Sequence, residues 1–227
     1  MQLPGIITLS PDDHDLMKKM ADMAGTSFLE ENWFIVWLQA IEKLGATKER
    51  KEKLLQAIFL DEFTAFSSFS GVYALEDHTA VTGAYLFSEL RGHTLTDIEE
   101  SYTENFLGVA TPEELAELAD MEEAMDAISK FDWAREYDTN EDHINFYAWA
   151  VDPEARGKHS LTRLVTPFFD EADKRGLNCY LECYSDHLQA IYEHLGFELL
   201  DELRDENFDI YERRMIRRPK PLSNTVK

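Results

Sequence analysis

Between residues 151 and 161 the chain reads Val151-Asp152-Pro153-Glu154-Ala155-Arg156-Gly157-Lys158-His159-Ser160-Leu161, an apolar strand end, a basic glycine-containing turn and the opening of a helical pattern. The first N–H groups of a helix have no partner inside it, and the helix dipole adds partial positive charge there, so such a corner suits phosphate oxygens. Arg156 and Lys158 bring local positive charge to a chain whose formal charge is −23. A second block, Tyr192-Glu193-His194-Leu195-Gly196-Phe197, closes one helix and enters a strand. Other chemistries lack their residues. His187 and His194 are not at metal-ligand spacing on a short helix, His143 stands apart, and no Cys/His cluster exists, so no metal site is expected. Cys179 and Cys183 read as buried thiols on one strand face, with no evident basic neighbour to make a nucleophile. In an extended strand their Cα atoms lie roughly 13 Å apart, too far for a disulfide.

These residues need a scaffold that carries them, and the pattern from Ile144 onward is compact. Ile144 to Val151 is a buried-strand run; Ser160 to Lys174 places Leu161, Leu164, Val165, Phe168 and Ala172 on one helical stripe, closed by Gly176. Leu177 to Tyr184 is the next strand, Asp186 to Leu195 a short helix, and Phe197 to Leu203 with Phe208 to Ile216 a closing strand pair. The first three elements form a βαβ unit, hence a parallel strand pair with a right-handed crossover.

Upstream, Ile6 to Leu9 reads as a strand, with Ser10 as N-cap and Pro11 in the first turn of a helix. Helical spacing continues to Leu44 with a break expected near Gly25-Thr26, and a further helix is expected from Lys48 to Phe66. Gly71 to Leu75 and Ala80 to Phe87 suggest a hairpin across Glu76-Asp77-His78. The acidic stretch 94–142 contains the capping box Thr111-Pro112-Glu113-Glu114, followed by Leu115, Leu118, Met121, Met125 and Ile128 on one face. It reads as a helical insertion between strands, either a lid or an elaboration of the sheet edge. The expected fold is α/β (α+β): a mixed central sheet flanked by helices, with that insertion ahead of the carboxy-terminal half, in one domain over 1–218 and a loose tail at 219–227.

The two blocks and the distance between them resemble the GNAT superfamily of N-acetyltransferases. Arg156-Gly157-Lys158 is similar to the start of that family's pyrophosphate loop, which runs Arg or Gln, two residues, Gly, one residue, then Gly or Ala. The Tyr192-x-x-x-Gly196-Phe197 ending is similar to its second signature. Within the family the resemblance is greatest to puromycin N-acetyltransferase-like members, through Val151-x-Pro153, Pro167 inside a helix, Leu181-Glu182, the Tyr192 to Phe197 block and the Met215 to Pro219 run. It covers the carboxy-terminal third of the chain; before that it extends only to the order of strands and helices. His159 and Leu161 stand where the family has small residues, and Ser185 where many relatives have an Asn that contacts the pantetheine arm.

The resemblance implies acetyl-CoA as co-substrate, its arm bonded to backbone near Trp149 and Val151 and its diphosphate held by Arg156, Gly157, Lys158, His159, Ser160 and Leu161, with Ser185 beside the arm. It implies direct attack by a neutral amine, an N–H near Val151 for the oxyanion and Tyr192 as proton donor to the departing thiolate; the alternative for Tyr192 is a core tyrosine with a satisfied hydroxyl. Glu182 is the candidate general base or else an exposed strand glutamate, and Tyr147 and Trp149 either shape an acceptor pocket or belong to the core. The implied acceptor is a primary amine of a small molecule; a non-catalytic binding protein of the same fold and a protein or peptide N-acetyltransferase are the alternatives.

Composition narrows the partners. With 44% hydrophobic and 12% aromatic residues the chain has enough apolar surface to fold. The 45 acidic against 22 basic residues repel phosphate backbones and anionic lipid, so neither nucleic acid nor membrane is expected, while a cationic amine is attracted. The chain is expected to be a cytoplasmic protein, monomeric or homodimeric, with reduced thiols.

Overall fold

The computed structural model describes residues 1–125, 128, 133–138, 142–205 and 207–221. A seven-stranded sheet in the order β1-β2-β3-β4-β5-β7-β6 runs through it. Its strands are β1 (Ile6–Thr8), β2 (Val72–Leu75), β3 (Ala80–Leu86), β4 (Ile144–Val151), β5 (Cys179–Cys183), β6 (Glu198–Asp205) and β7 (Ile210–Arg217). Every neighbouring pair is antiparallel except β4 and β5, the parallel pair at the centre.

Helices cover both faces. On one face α8 (Ser160–Arg175) buries Leu164, Val165, Phe168 and Ala172 against Phe146, Leu181 and Met215, joined by α9 (Asp186–His194) through Tyr192. On the other face α1 (His14–Phe28) and α3 (Lys48–Ser67) pack Met20, Ala24, Phe63 and Phe66 on Val81, Tyr85 and Ala148. The short α2 (Asn32–Trp37) and a 3₁₀ turn (Leu38–Leu44) connect α1 to α3, and Gly45 ends that turn at φ 81°, a left-handed position that glycine adopts without strain. Between β3 and β4 come α4 (Leu95–Glu100), α5 (Glu104–Val109), α6 (Pro112–Ala124) and α7 (Ala134–Tyr137). The capping box forms: Glu114 N donates to Thr111 Oγ1 at 3.2 Å and Thr111 N to Glu114 Oε2 at 2.9 Å. Leu118, Met125 and Ile128 then pack with Trp37 and Leu54, seating the insertion on α2 and α3.

The amino-terminal expectations change in two places. Ser10 and Pro11 do not cap α1; Asp13 N donates to Ser10 O and Ser10 N to Asp13 Oδ2, both at 3.0 Å, closing a separate turn before the helix opens at His14. Gly25 does not break α1, which runs on to Phe28. A Cβ at Gly25 would lie 2.5 Å from Gln56 N of α3, so this glycine admits a close helix–helix approach. Of the predicted insertion, residues 126, 127, 129–132 and 139–141 lie outside the described residues, as do 222–227 of the tail.

Candidate active site

The site is built where the central parallel pair comes apart. β4 and β5 pair only through Ile144 with Cys179 and Asn145 with Tyr180. On its other edge β4 stays bonded to β3 as far as Val151, so the main-chain groups that β4 turns toward β5 beyond Asn145 lack a strand partner. A register shift between Gly83 and Ala84 leaves Tyr147 as an extra residue in β4, and such a bulge bends and twists its strand. Gly83 makes room for it: a Cβ there would sit 1.9 Å from Tyr147 Cζ. The Tyr147 ring instead lies 4.5 Å from that of Phe66.

At the open end the chain turns through Pro153–Ala155, with Asp152 Oδ1 accepting from Glu154 N at 2.8 Å, and enters α8. Gly157 has φ 76° and His159 φ 62°, and no side chain caps the helix start. The N–H groups of Ser160, Leu161 and Thr162 therefore have no intrahelical acceptor. His159 adopts a left-handed conformation, uncommon for a residue with a side chain, and is exposed at the edge of the corner. Leu161 turns inward and packs on the core beneath α8. Arg156 is ion-paired with Glu30 at 3.7 Å, both exposed at the rim.

A cavity of about 970 Å³ runs from this corner through the strand gap to the α2–α3 side of the sheet. It collects Trp149, Val151, Arg156, Gly157, His159, Ser160, Leu161, Glu182, Ser185 and Tyr192 in one wall system; Lys158 is exposed and outside the lining. Ser185 Oγ accepts from Leu188 N at 3.2 Å, so its hydroxyl caps α9.

Tyr192 is buried, its ring edge-to-face with Trp149 at a centroid distance of 5.0 Å. Burial, with Cys183 and Glu31 nearby, pushes its phenol well above the ordinary range, so it stays protonated. Glu182 is not an exposed strand residue: Trp133 Nε1 donates to its Oε2 at 2.7 Å and Tyr184 Oη to its Oε1 at 3.0 Å. Burial and the neighbouring Glu212 raise its pKa against the opposing effect of those two donors and Arg214. The thiols of Cys179 and Cys183 are pushed up by burial to about 12, which keeps them neutral.

The sequence reading missed the carboxylates that face this chamber from distant helices. Glu31, at the start of α2, accepts from Trp33 N at 2.7 Å, and burial pushes it up to about 7. Glu62 of α3 is raised by burial and by Asp61, and Glu122 of α6 by burial. All three line the cavity together with Trp33, Trp37, Phe106 and Trp133. The one available signal was local: Glu62 stands on a helix otherwise rich in buried phenylalanines, Phe59, Phe63 and Phe66. Among the described residues no group of three or more His, Cys, Asp or Glu is arranged to hold a metal ion, and no helix is long and apolar enough to cross a membrane.

Comparison with known proteins agrees with this geometry. A sequence profile described as Acetyltransferase (GNAT) family matches residues 33–197. An uncharacterized N-acetyltransferase of Schizosaccharomyces pombe is 38% identical over 58 residues, a stretch that spans 25% of this chain and 24% of that protein's length. The fold is similar to a protein of Corynebacterium glutamicum named histone acetyltransferase HPA2 and related acetyltransferase, at TM-score 0.56 and 15% identity over 98% of this chain and 99% of that one. It is also similar to an N-acetyltransferase of Staphylococcus aureus, at TM-score 0.51 and 15% identity over 93% and 98% of the two chains. A mosquito arylalkylamine N-acetyltransferase like 5b is similar at TM-score 0.51 and 16% identity over 94% and 98%. The uncapped helix start, the parted parallel strands and the profile spanning both converge on one assignment: the chain belongs to the acetyltransferase (GNAT) family.

Proposed function

We propose that this chain is an acetyl-CoA-dependent N-acetyltransferase that transfers the acetyl group to a primary amine of a small molecule by direct attack within a ternary complex. The observation that carries the reading is the alignment of an uncapped helix start at Ser160 with a strand gap that leads to Tyr192. The residues fit the co-substrate: free N–H donors and Arg156 suit a diphosphate, and the unpaired edge of β4 suits an extended, amide-bearing arm added like a strand. Acetyl-CoA supplies an acetyl thioester activated toward amines.

The chain's own residues do the rest. Gly157, His159, Ser160 and Leu161 offer main-chain donors to the diphosphate, Arg156 exchanges Glu30 for phosphate oxygen, and Lys158 adds charge from outside the cavity. Trp149 and Val151 align the arm, and an N–H of β4 near Val151 stabilises the developing oxyanion. Ser185 holds α9, and hence Tyr192, in place. Glu182 takes a proton from the incoming ammonium, directly or through water. Full proton transfer from a phenol of raised pKa to a thiolate of about 8.5 is uphill, so Tyr192 acts first as a hydrogen-bond donor that stabilises negative charge on sulfur as the C–S bond breaks.

The chamber beyond the gap is walled by aromatic side chains of α2 and of the insertion, Trp33, Trp37, Phe106 and Trp133, and we read it as a pocket for a small acceptor. In this reading residues 1–218 form one domain whose insertion roofs the acceptor chamber, and the protein stands near the puromycin N-acetyltransferase-like members. It works in the cytoplasm on a diffusible substrate, as a monomer or homodimer. Equilibrium titration with acetyl-CoA, followed by a thiol-release assay over a panel of small amines, tests it. Saturable binding with turnover of at least one amine is expected; absence of both overturns the proposal.

A further inference from the structure

We infer that the acceptor is an elongated polycationic amine, with its reacting nitrogen at the Tyr192 end of the chamber and a second cationic nitrogen held at the other end by Glu62 and Asn145. The inference rests on the proposed acetyl transfer and names the acceptor class.

Charge is the first argument. Glu31, Glu62, Glu122 and Glu182 line the chamber, and Arg156, already paired with Glu30 at the rim, is the Lys or Arg side chain among the described lining residues. Glu62 is raised by burial and by its acidic neighbour Asp61, with no opposing hydrogen bond or cation among the described residues, whereas Glu122 is exposed at the chamber edge. A buried carboxylate without a cation is costly, and a ligand that brings the cation relieves the cost. Glu182 has Trp133, Tyr184 and Arg214 and Glu31 has Trp33 N, so Glu62 is the chamber acid whose charge a second ammonium would answer.

An independent observation fixes where a second nitrogen would sit. Asn145 lines the cavity, is only 9% exposed, and its Oδ1 has no partner, while its Nδ2 donates to Tyr85 Oη at 2.7 Å. A buried amide oxygen left open is an acceptor awaiting a donor. Phe66, whose ring lies 4.5 Å from Tyr147 and 6.1 Å from Tyr85, stands one helical turn after Glu62 on α3. Glu62 and Asn145 thus belong to the same end of the chamber.

The strands supply the length. Asn145 pairs with Tyr180 where β4 and β5 still touch, and Trp149, against Tyr192, lies beyond the Tyr147 bulge; their β3 partners Tyr85 and Thr82 are three residues apart, about 10 Å at the ordinary strand rise. Glu182 follows Tyr180 by two residues on β5, about 7 Å along the same path. Asn145 and Glu182 therefore stand apart along the cavity by a distance that suits two nitrogens separated by a short methylene run. The aromatic walls of Trp33, Trp37, Phe106 and Trp133 suit those methylenes and the faces of the ammonium groups.

The test compares linear aliphatic diamines with monoamines of equal chain length, using the full chain. Thiol release gives kcat/KM with acetyl-CoA present, and calorimetry gives amine binding without turnover. The diamine is expected to exceed its matched monoamine by about tenfold or more in kcat/KM and in affinity, and Glu62→Gln to reduce that ratio by about tenfold. Glu122→Gln is expected to reduce it less. Equal values for diamine and monoamine, or a ratio that survives Glu62→Gln in a folded variant, would overturn the inference. Turnover of both classes without preference sinks this inference and leaves acetyl transfer standing; failure of acetyl-CoA to bind sinks the proposed function instead. The wild-type comparison decides even if a variant does not fold.

Discussion

Tyr192 sits with its ring against Trp149 and Phe197, and burial keeps its phenol protonated at every physiological pH. If that hydroxyl stabilises a leaving thiolate, it contributes only once the C–S bond begins to break, so its loss reduces turnover and spares binding. Tyr192→Phe is expected to lower kcat by about 10²-fold while the dissociation constant for acetyl-CoA changes by less than about threefold, read by steady-state kinetics and equilibrium titration. As the proposed general base, Glu182 would work from the opposite protonation state, because a base must be ionised to accept a proton. Burial and Glu212 raise its pKa, so kcat/KM is expected to climb with pH nearer neutrality than an ordinary carboxylate would allow, and to level off above it. Glu182→Gln should cost about 10²-fold in kcat/KM and remove that limb of the profile. These two residues lay in the legible part of the chain, within the segment whose motifs follow each other in order. Glu31, Glu62 and Glu122 did not, because they reach the chamber from helices that precede β4, and apart from the buried phenylalanines around Glu62 nothing local distinguishes them from other acids in so acidic a sequence.

The element that opens the site is β4, and its bulge depends on a missing side chain in the neighbouring strand. Gly83→Ala would place a Cβ 1.9 Å from Tyr147 Cζ, so the ring must leave its place beside Phe66. The expected result is a loss of about 1–3 kcal/mol in unfolding free energy, measured by denaturant titration, with reduced activity from a displaced Tyr147. Adding Tyr147→Ala should restore part of the stability, since the collision partner is gone, without restoring the chamber wall. Elements whose ends are set by neighbours in sequence were readable: Gly45 and Gly176 both adopt left-handed φ values at helix ends, and Thr111 with Glu114 forms its box. Gly25 was misread because the residue that requires it, Gln56, belongs to another helix, and a close approach across helices leaves no local trace. The bulge at Tyr147 was invisible for the same reason; it is a property of two strands in register.

Across the whole molecule, the acids of the chamber couple function to stability. Glu31, Glu62 and Glu182 have folded pKa values raised above the unfolded carboxylate value. Their stabilising effect is complete below about pH 4.5, where both states are protonated, and is lost as pH rises through the folded values, because the folded state binds more protons in that window. Thermal midpoints are therefore expected to fall between about pH 5 and about pH 8, with a smaller fall in Glu62→Gln, as followed by circular dichroism. A midpoint independent of pH would mean that these carboxylates are solvated. The strand pairs were largely readable, the β2–β3 hairpin, the parallel β4–β5 pair and the closing β6–β7 pair, whereas the placement of β7 rather than β6 beside β5 was not. The chamber was not, because it exists only where α2, α3 and the insertion meet the parted strands.

The central claim is that the helix start at Ser160 and the gap between β4 and β5 are one binding site for acetyl-CoA. A crystal structure of the protein soaked with acetyl-CoA tests it most directly. The diphosphate is expected on the N–H groups between Gly157 and Leu161, with the arm along the free edge of β4 and the thioester beside Tyr192. Density for the molecule elsewhere, with that corner and gap unchanged, would contradict it.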